Sequence, residues 1–179
     1  MSPELQTSQK NLYDTDFVRW VETTVDHLRN QNYTSVDWAN LIEEIEDMSR
    51  RERKSLKSNL VVTLLHLLKW QYQPKSRSGS WKGNIREHRR RIANDLKNSP
   101  SLSPYLQEIF AECYVNARAQ AADETGMPLE QFPLACPYTV GQVLNADYLP
   151  DRARVGASQG LLYLGQEPAR ARASHHKFG

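Results

Sequence analysis

The chain has 179 residues, of which 39% are hydrophobic and 25% are charged, and its formal net charge is +2. This length and apolar content predict one hydrophobic core of ordinary size and a single domain. A net charge so close to zero excludes the strong overall field that would by itself indicate a nucleic-acid or membrane-surface protein.

Apolar periodicity predicts two helices in the first fifty residues. The first helix is capped by Asp14 or Thr15 and ends near residues 30–32. Its apolar residues recur at three- and four-residue steps: Phe17, Trp20, Val21, Val25 and Leu28. The second helix is capped by Ser35, and we expect its apolar stripe to face the core. That stripe consists of Trp38, Leu41, Ile42, Ile45 and Met48.

A third helix is predicted to continue to about Tyr72. Ser49, followed three residues later by Glu52, has the form of a capping box and predicts a break or kink before this helix. One uninterrupted helix from Val36 to Tyr72 is the alternative that the sequence leaves open. Apolar residues surround most of the third helix, which indicates a central position in the fold. They are Leu56, Leu60, Val61, Leu64, Leu65, Leu67, Leu68, Trp70 and Tyr72.

Two further helices follow a polar loop at residues 74–80. The fourth is capped by Ser80, ends before Pro100 and turns Trp81, Ile85, Ile92 and Leu96 inward. The fifth starts at Ser103-Pro104 and runs to about Glu124, with Gly126 as its left-handed C-cap. Its inner face consists of Leu106, Ile109, Phe110, Cys113, Ala117 and Ala121. One short turn within residues 128–137 and a short helix from Thr139 to about Asn145 complete the prediction.

Residues 151–179 differ in composition from the rest of the chain. They carry five Lys/Arg against two Asp/Glu, a net +3, which leaves −1 on the first 150 residues. Because they show almost no apolar periodicity, we expect a mostly mobile basic tail. The predicted fold is therefore all-α: a compact helical bundle of about five main helices in residues 1–150, with a short C-terminal helix, followed by an irregular tail at 151–179.

Several patterns bear on the cellular setting. Cys113 and Cys136 have neither metal-ligand spacing nor the density of a disulfide framework, which predicts a reducing, cytoplasmic compartment. The first residues lack the features of a signal peptide. The apolar run from Leu60 to Leu68 is far shorter than the roughly 20 residues of a membrane span, so no membrane association is expected.

The second helix carries four carboxylates, Glu43, Glu44, Glu46 and Asp47. With the apolar stripe taken as inward, Glu43 and Asp47 point away from the core and Glu44 and Glu46 border it. Glu44 or Glu46 with His66 are therefore the catalytic candidates, able to bind a divalent cation or activate water. The competing interpretation is a solvated helix face whose border carboxylates pair with Arg or Lys. We favour it, because a metal-binding bundle normally shows a second Glu-x-x-His element and this chain has none. No metal site and no cofactor is predicted.

Polar groups on the third and fourth helices can serve the fold or a site. His66 lies on one face with Lys69, next to Trp70, and needs a hydrogen-bond partner if buried. A satisfied core histidine is the more common case. Arg89 projects toward the core and is a rival candidate to pair with Glu44 or Glu46.

The densest basic run extends from Arg86 to Arg91. Lys82, Arg86 and Arg90 are spaced four apart and can form an exposed ridge for phosphates or an acidic partner. The near-neutral total charge gives a nucleic-acid function no support.

Six ordered motifs carry a resemblance to a known family: YDTDFVRWV, DWANLIEEIEDM, LLHLLKWQYQP, SWKGNIREHRRRI, SPSLSPYL and ETGMPLEQFPLACPYT. Over about residues 13–150 the chain resembles domain-of-unknown-function family twenty-nine, which is bacterial and largely cyanobacterial. The resemblance implies a compact all-α fold and no established activity. The positions that match the family pattern are Trp20, Asp37, Glu43, Glu44, Glu46, His66, Lys69, Trp70, Gln73, Pro74, Trp81, Arg86 and Arg90.

The leading hypothesis is a non-enzymatic interaction module, an antitoxin-like or regulatory partner of another protein. Its predicted binding residues are Lys69, Trp70, Gln73, Trp81, Lys82, Arg86, Arg89 and Arg90. The alternative is a metal-assisted hydrolase acting on nucleic acid, in which Glu44 or Glu46 works with His66. That shared site requires the side chains to lie within about 8 Å of one another. A third hypothesis is a non-catalytic nucleic-acid binder that uses the basic ridge at residues 82–91.

Overall fold

The computed structural model describes residues 12–151, which form an all-α fold without strands, as predicted. The helices are α1 (Phe17–Arg29), α2 (Trp38–Tyr72), α3 (Gly79–Asn98), α4 (Leu102–Thr125) and the short α5 (Val140–Leu144). Short 3-10 turns lie at Tyr33–Ser35, Pro74–Ser76 and Leu129–Gln131, and residues 12–15 form a helical turn ahead of α1. In this part of the chain no helix is both long enough and apolar enough to cross a bilayer.

Helix α2 is one continuous helix of 35 residues, so the predicted break at Ser49 is wrong and the uninterrupted alternative is correct. No Gly or Pro interrupts residues 38–72. Ion pairs one turn apart span the predicted break, from Arg50 to Glu46 and Asp47 and from Arg51 to Asp47, and such pairs stabilise a helix. The Ser49 motif is therefore an ordinary exposed turn of helix.

Helix starts differ from the predicted caps by one or two residues. The side chain of Asp16 caps α1, that of Asp37 caps α2, and that of Ser78 caps α3, each accepting a hydrogen bond from a first-turn backbone N–H. Gly126 ends α4 with φ of 66°, the left-handed C-cap predicted for it. Thr139 and Gln142 form a capping box at the start of α5.

The core lies around the second half of α2, which α3 and α4 cover. Contacts between α2 and α3 run in opposite chain directions, from Ser55 with Asp95 to His66 with Asn84, so these helices are antiparallel. Contacts with α4 run in the same direction, from Lys57 with Glu112 to Lys69 with Glu124, so α2 and α4 are parallel. The side chains that are fully inaccessible within this core include Leu56, Leu60, Leu64, Leu67, Leu68, Ile92, Cys113, Ala117, Ala121 and Val143.

The first half of α2 extends beyond this core. Arg53, whose guanidinium lies 5.4 Å from the ring centroid of Tyr105, contacts α4, and Ser55 contacts Asp95 of α3. Leu56 is the first buried residue of α2. Residues 38–52 therefore project by about 22 Å, at a rise of 1.5 Å per residue. We call residues 12–52, which comprise α1 and this projecting half of α2, the arm.

The apolar stripe of the arm does not face the core, and that prediction is wrong. Trp38 is 47% exposed, Ile42 53%, Ile45 57% and Met48 62%. The physical reason is length: α2 has 35 residues, whereas α3 has 20 and α4 has 24, so neither partner helix reaches the stripe.

The segment after α4 packs back onto the core. Phe132 is buried beside Tyr72, Tyr114 donates a hydrogen bond to the carbonyl of Pro133, and Tyr138 donates one to Gln71. Only Asp151 of the predicted 151–179 tail belongs to the described residues. The mobile tail and the boundary at residue 150 therefore stay predictions.

Candidate functional site

A row of polar side chains lies between α2 and α3. We call it the polar seam: Ser55, Asn59 and His66 of α2 with Asn84, His88 and Asp95 of α3. Ser55 and Asp95 are 3.5 Å apart, the amide oxygen of Asn59 is 2.8 Å from Nδ1 of His88, and Nε2 of His66 is 2.9 Å from Nδ2 of Asn84. Each member thus has a partner on the facing helix, and the two buried members, Asn59 and His66, are satisfied as buried polar groups require.

His66 occupies a satisfied core position. Its Nδ1 lies 3.0 Å from the carbonyl oxygen of Val62, which can only accept, so Nδ1 carries the proton and Nε2 accepts from Asn84. Burial lowers the pKa of His66, and the nearby Lys69 ammonium lowers it further, which favours the neutral ring. Both ring nitrogens are therefore used within the fold.

His88 has the same character on the facing helix. Burial lowers its pKa, and the charges of Arg91 and of His66 act in the same direction. The seam thus holds two imidazoles on neighbouring helices whose charged forms are both disfavoured.

Lys69 lies at the other edge of α2, next to α4. Its Nζ donates to Glu124 at 2.6 Å and lies 4.7 Å from the ring centroid of Trp81, so the ammonium is held between a carboxylate and an aromatic face. Gln73 donates to the carbonyl of Thr125 on the same side. Trp70 is covered by the guanidinium of Arg77, 4.9 Å from its ring centroid.

Arg89 does not pair with Glu44 or Glu46. Its guanidinium is buried and donates to the carbonyls of Gln142, Val143, Ala146 and Tyr148, at 3.3, 2.6, 3.4 and 2.8 Å. Because carbonyls at a helix end lack helical partners, this cation caps α5 and holds the following segment on α3. Burial lowers the pKa of Arg89.

The catalytic candidates of the arm lie far from His66. Glu44 and Glu46 are on the same continuous helix as His66, 22 and 20 residues earlier, which corresponds to about 30 Å along the axis. Glu44 accepts a hydrogen bond from the hydroxyl of Tyr13 at 2.8 Å, and Glu46 is ion-paired with Arg50. The Glu44 hydrogen bond raises the pKa of Tyr13 to about 12. A site shared by these carboxylates and His66 does not form, because hydrogen-bond reach is only about 3 Å.

Within residues 12–151 no group of three or more His, Cys, Asp or Glu side chains is placed to hold a metal ion.

The basic ridge lies exposed on α3. Arg90 and Arg91 both donate to Glu87, and these bonds lower the pKa of Glu87 to about 2. Lys82 and Arg86 are exposed, and neither forms an ion pair with any residue of 12–151. Two of the three predicted ridge positions thus have a free charge, and the third is paired with its own helix.

The exposed stripe of the arm continues the buried face of the core. Eighteen residues of α-helix make five full turns at about 100° per residue. Trp38 and Leu56 therefore lie on one line along α2, as do Ile42 and Leu60, and Ile45 and Thr63. Leu56, Leu60 and Thr63 have no solvent exposure, whereas the three arm residues are about half exposed. One face of α2 is covered by α3 and α4 in its second half and open in its first.

Exposed apolar surface is concentrated on the arm. Of the eleven large hydrophobic residues that are exposed in the described chain, eight lie between residues 17 and 48. They are Phe17, Val18, Val21, Tyr33, Trp38, Ile42, Ile45 and Met48. Sequence reasoning identified the stripe but assigned it to the core, and the mismatch in helix lengths was the signal that could have corrected this.

The arm is also the acidic part of the molecule. Residues 12–52 contain ten Asp/Glu and four Arg, a net charge of −6. Residues 53–151 contain thirteen Lys/Arg and nine Asp/Glu, a net charge of +4. The near-neutral total therefore hides an acidic arm on a basic core.

The fold and its polar contacts define an all-α protein built on one long helix, with a satisfied polar seam in its core and an acidic apolar arm outside it. The profile of the family described as "Domain of unknown function DUF29" matches residues 12–149, and the chain belongs to that family. The resemblance carried by the six motifs is thereby confirmed. No curated protein and no solved structure matches the chain.

Proposed function

We propose that the protein is a non-enzymatic interaction module that binds another protein through the apolar stripe of its arm. The observation that carries this proposal is the open half of α2, where Trp38, Ile42 and Ile45 lie half exposed on the same face as inaccessible core residues. Contiguous exposed apolar surface with a polar rim is typical of protein interaction sites. A regulatory or antitoxin-like partner acts in this way, by contact and without chemistry.

The polar groups of the core support the same proposal. His66, Lys69 and Arg89 use their polar atoms on partners within the fold. They therefore stabilise the core, and most of the exposed apolar surface that is left for a partner lies on the arm. The proposed setting is the reducing cytoplasm, which the free thiols of Cys113 and Cys136 support.

The experiment is a pull-down from native lysate with the tagged full chain, comparing Ile45→Gln with Val115→Gln. Both residues are exposed on helices, at 57% and 61%, so neither substitution should disturb folding, but only Ile45 belongs to the stripe. We expect wild type and Val115→Gln to recover the same specific partner and Ile45→Gln to lose most of it. Repeated failure to recover any partner, or equal recovery by both variants, would count against the proposal.

A second candidate function, nucleic-acid binding without catalysis, draws on the free charges of Lys82 and Arg86. It predicts an affinity for RNA or DNA that falls steeply with salt and that Lys82→Gln with Arg86→Gln weakens. Binding that is insensitive to salt would remove this candidate.

A further inference from the structure

We infer that the partner seated on the stripe is a basic amphipathic helix of another protein. This inference rests on the proposed function, because it specifies the chemistry of the partner that the stripe binds. It follows from three observations: the spacing of the stripe, the position of the α3–α4 connection relative to it, and the carboxylates along both of its edges.

The stripe has the shape that an α-helix covers. Its four exposed residues, Trp38, Ile42, Ile45 and Met48, follow one another at steps of four, three and three, which places them along one side of three helical turns. The fifth stripe residue, Leu41, is half-buried. A partner helix of about 11 to 15 residues would span this length, since each residue advances by about 1.5 Å. Extended or irregular segments offer no matching period along so short a helix face.

The rest of α2 already shows how helices pack on this face. Helices α3 and α4 cover it as far as Ser55 and Arg53, and the connection between them at residues 99–101 ends the covered part. A partner helix on the stripe would occupy the next level of the same bundle. It would extend a surface that is already apolar and already shaped for helix packing.

Carboxylates flank the stripe on both sides. At about 100° per residue, Glu44 lies about 40° outside the edge marked by Met48, and Glu46 about 40° outside the edge marked by Ile42. Within the arm, Glu44 accepts a hydrogen bond from the hydroxyl of Tyr13, and Glu46 is ion-paired with the exposed Arg50. The net charge of the arm is nevertheless −6. A helix that brings Lys or Arg on both sides of its apolar residues would meet this acidic border with complementary charge.

Charge also favours a basic partner helix over a second copy of this chain as the occupant of the stripe. A symmetric dimer through the stripe would place one arm of −6 against another of −6, and like charges across an interface oppose association. The chain's own residues 152–179 are basic, with five Lys/Arg and one Glu, but their apolar residues run consecutively from Leu161 to Leu164. Consecutive residues do not form a one-sided stripe over three helical turns.

The test uses a fluorescein-labelled synthetic helix of about 14 residues, with Leu at alternating three- and four-residue steps and Lys beside them. A second probe has Glu in place of every Lys. Binding to the full chain is followed by fluorescence anisotropy, with Ile45→Gln and Glu46→Gln as site variants. Val115→Gln and Glu108→Gln, at exposed positions of α4, are the matched controls.

We expect saturable binding of the Lys probe, at least about tenfold weaker binding of the Glu probe, and at least about a tenfold loss with Ile45→Gln. Glu46→Gln should weaken binding by a smaller factor and the two controls should not. No binding of the Lys probe, equal binding of both probes, or an Ile45→Gln affinity equal to that of wild type would overturn the inference.

Two further outcomes would assign the stripe to another occupant and overturn the inference. A dimer in sedimentation that Ile45→Gln converts to monomer would assign it to a second copy. A rise of about tenfold in probe affinity on changing Leu162 and Leu164 to Ser would assign it to the chain's own C-terminal residues. The Lys probe could fail to bind while Ile45→Gln still loses the native partner in the pull-down. In that case the proposed function stands, and only the inference that the partner is a basic helix is rejected.

Discussion

Ile42 and Leu60 lie five turns apart on one face of α2, yet Ile42 is 53% exposed and Leu60 is inaccessible to solvent. Both are branched aliphatic residues in the same helix, so neither chemistry nor secondary structure accounts for the difference. The difference comes from α3 and α4, which reach Leu60 and stop short of Ile42. The burial of an apolar residue is thus decided by the length of the neighbouring elements as well as by its own helix face.

The two regions differ in the same way in their polar groups. In the core, His66, Asn59 and His88 all have hydrogen-bond partners. In the arm, Nε1 of Trp20 and Oγ1 of Thr24 are buried without any partner. Outside the arm, one buried side-chain atom of the described chain, Nη2 of Arg77, also has no partner. Unpaired buried donors carry a desolvation cost of about 1–3 kcal/mol each, so two of these three costs fall on the arm.

The largest expected effect comes from truncating the two residues just compared, Leu60 and Ile42. Leu60→Ala should lower the free energy of unfolding by about 2–5 kcal/mol, because it opens a cavity in the packed core. Ile42→Ala should lower it by no more than about 0.5 kcal/mol, because the side chain is half exposed. Denaturant unfolding of both variants measures the difference. A loss for Ile42→Ala close to that of Leu60→Ala would mean that the stripe is covered in solution.

The second-largest effect concerns Arg89, whose buried guanidinium holds residues 142–148 on α3. Arg89→Met should cost about 2–3 kcal/mol, because four carbonyls of residues 142–148 lose a charged donor. Arg86→Met, an exposed position on the same helix, is the control. Hydrogen exchange should show faster opening of residues 140–148 in the first variant and no change in the arm. Equal stability of the two variants would contradict the capping role of Arg89.

The smallest expected effect is a pH dependence of the free energy of unfolding that arises from the two histidines of the core. Burial lowers the pKa values of His66 and His88 in the folded state below the ordinary value of 6.5, so the unfolded chain binds protons more tightly. Their contribution to stability is therefore fully present above about pH 6.5 and is lost as the pH falls from there through the lowered pKa values. Unfolding measured between pH 7 and pH 5 should show this loss, with a shallower slope for His66→Gln and for His88→Gln.

Glu87 should not contribute to the loss of stability between pH 7 and pH 5. Its pKa is lowered to about 2 by hydrogen bonds from Arg90 and Arg91, so its contribution is lost only as the pH falls below about 4.5. An unchanged slope between pH 7 and pH 5 in both histidine variants would show that the seam does not cause the pH dependence.

Much of the fold followed from the sequence because local patterns determine it. The apolar periods of α1, α3 and α4, and the left-handed Gly126, are visible in the residues themselves. The course of α2 was harder to predict, because Ser49 and Glu52 look like a helix start, while the ion pairs of Arg50 with Glu46 and Asp47 favour continuation.

The candidate site could be predicted only in part. His66 as a satisfied core histidine follows from one polar residue on an apolar helix, and its partner Asn84 was not foreseen. Arg89 was expected near the core, but its carbonyl partners lie more than fifty residues away in the chain, and no local pattern announces them. The exposure of the stripe depends on where α3 and α4 end relative to α2, which is a property of the assembled bundle.

Because α2 is continuous, it fixes the direction of the stripe relative to the core face around the helix axis. The stripe and the core face stay aligned because eighteen residues make a whole number of turns. One residue inserted near Ser49 would rotate the stripe by about 100° about the helix axis, while the arm and the core each kept their own structure. The direction in which the arm presents its surface is therefore encoded by the spacing between its two halves, and the chain can change that direction only in steps of one residue.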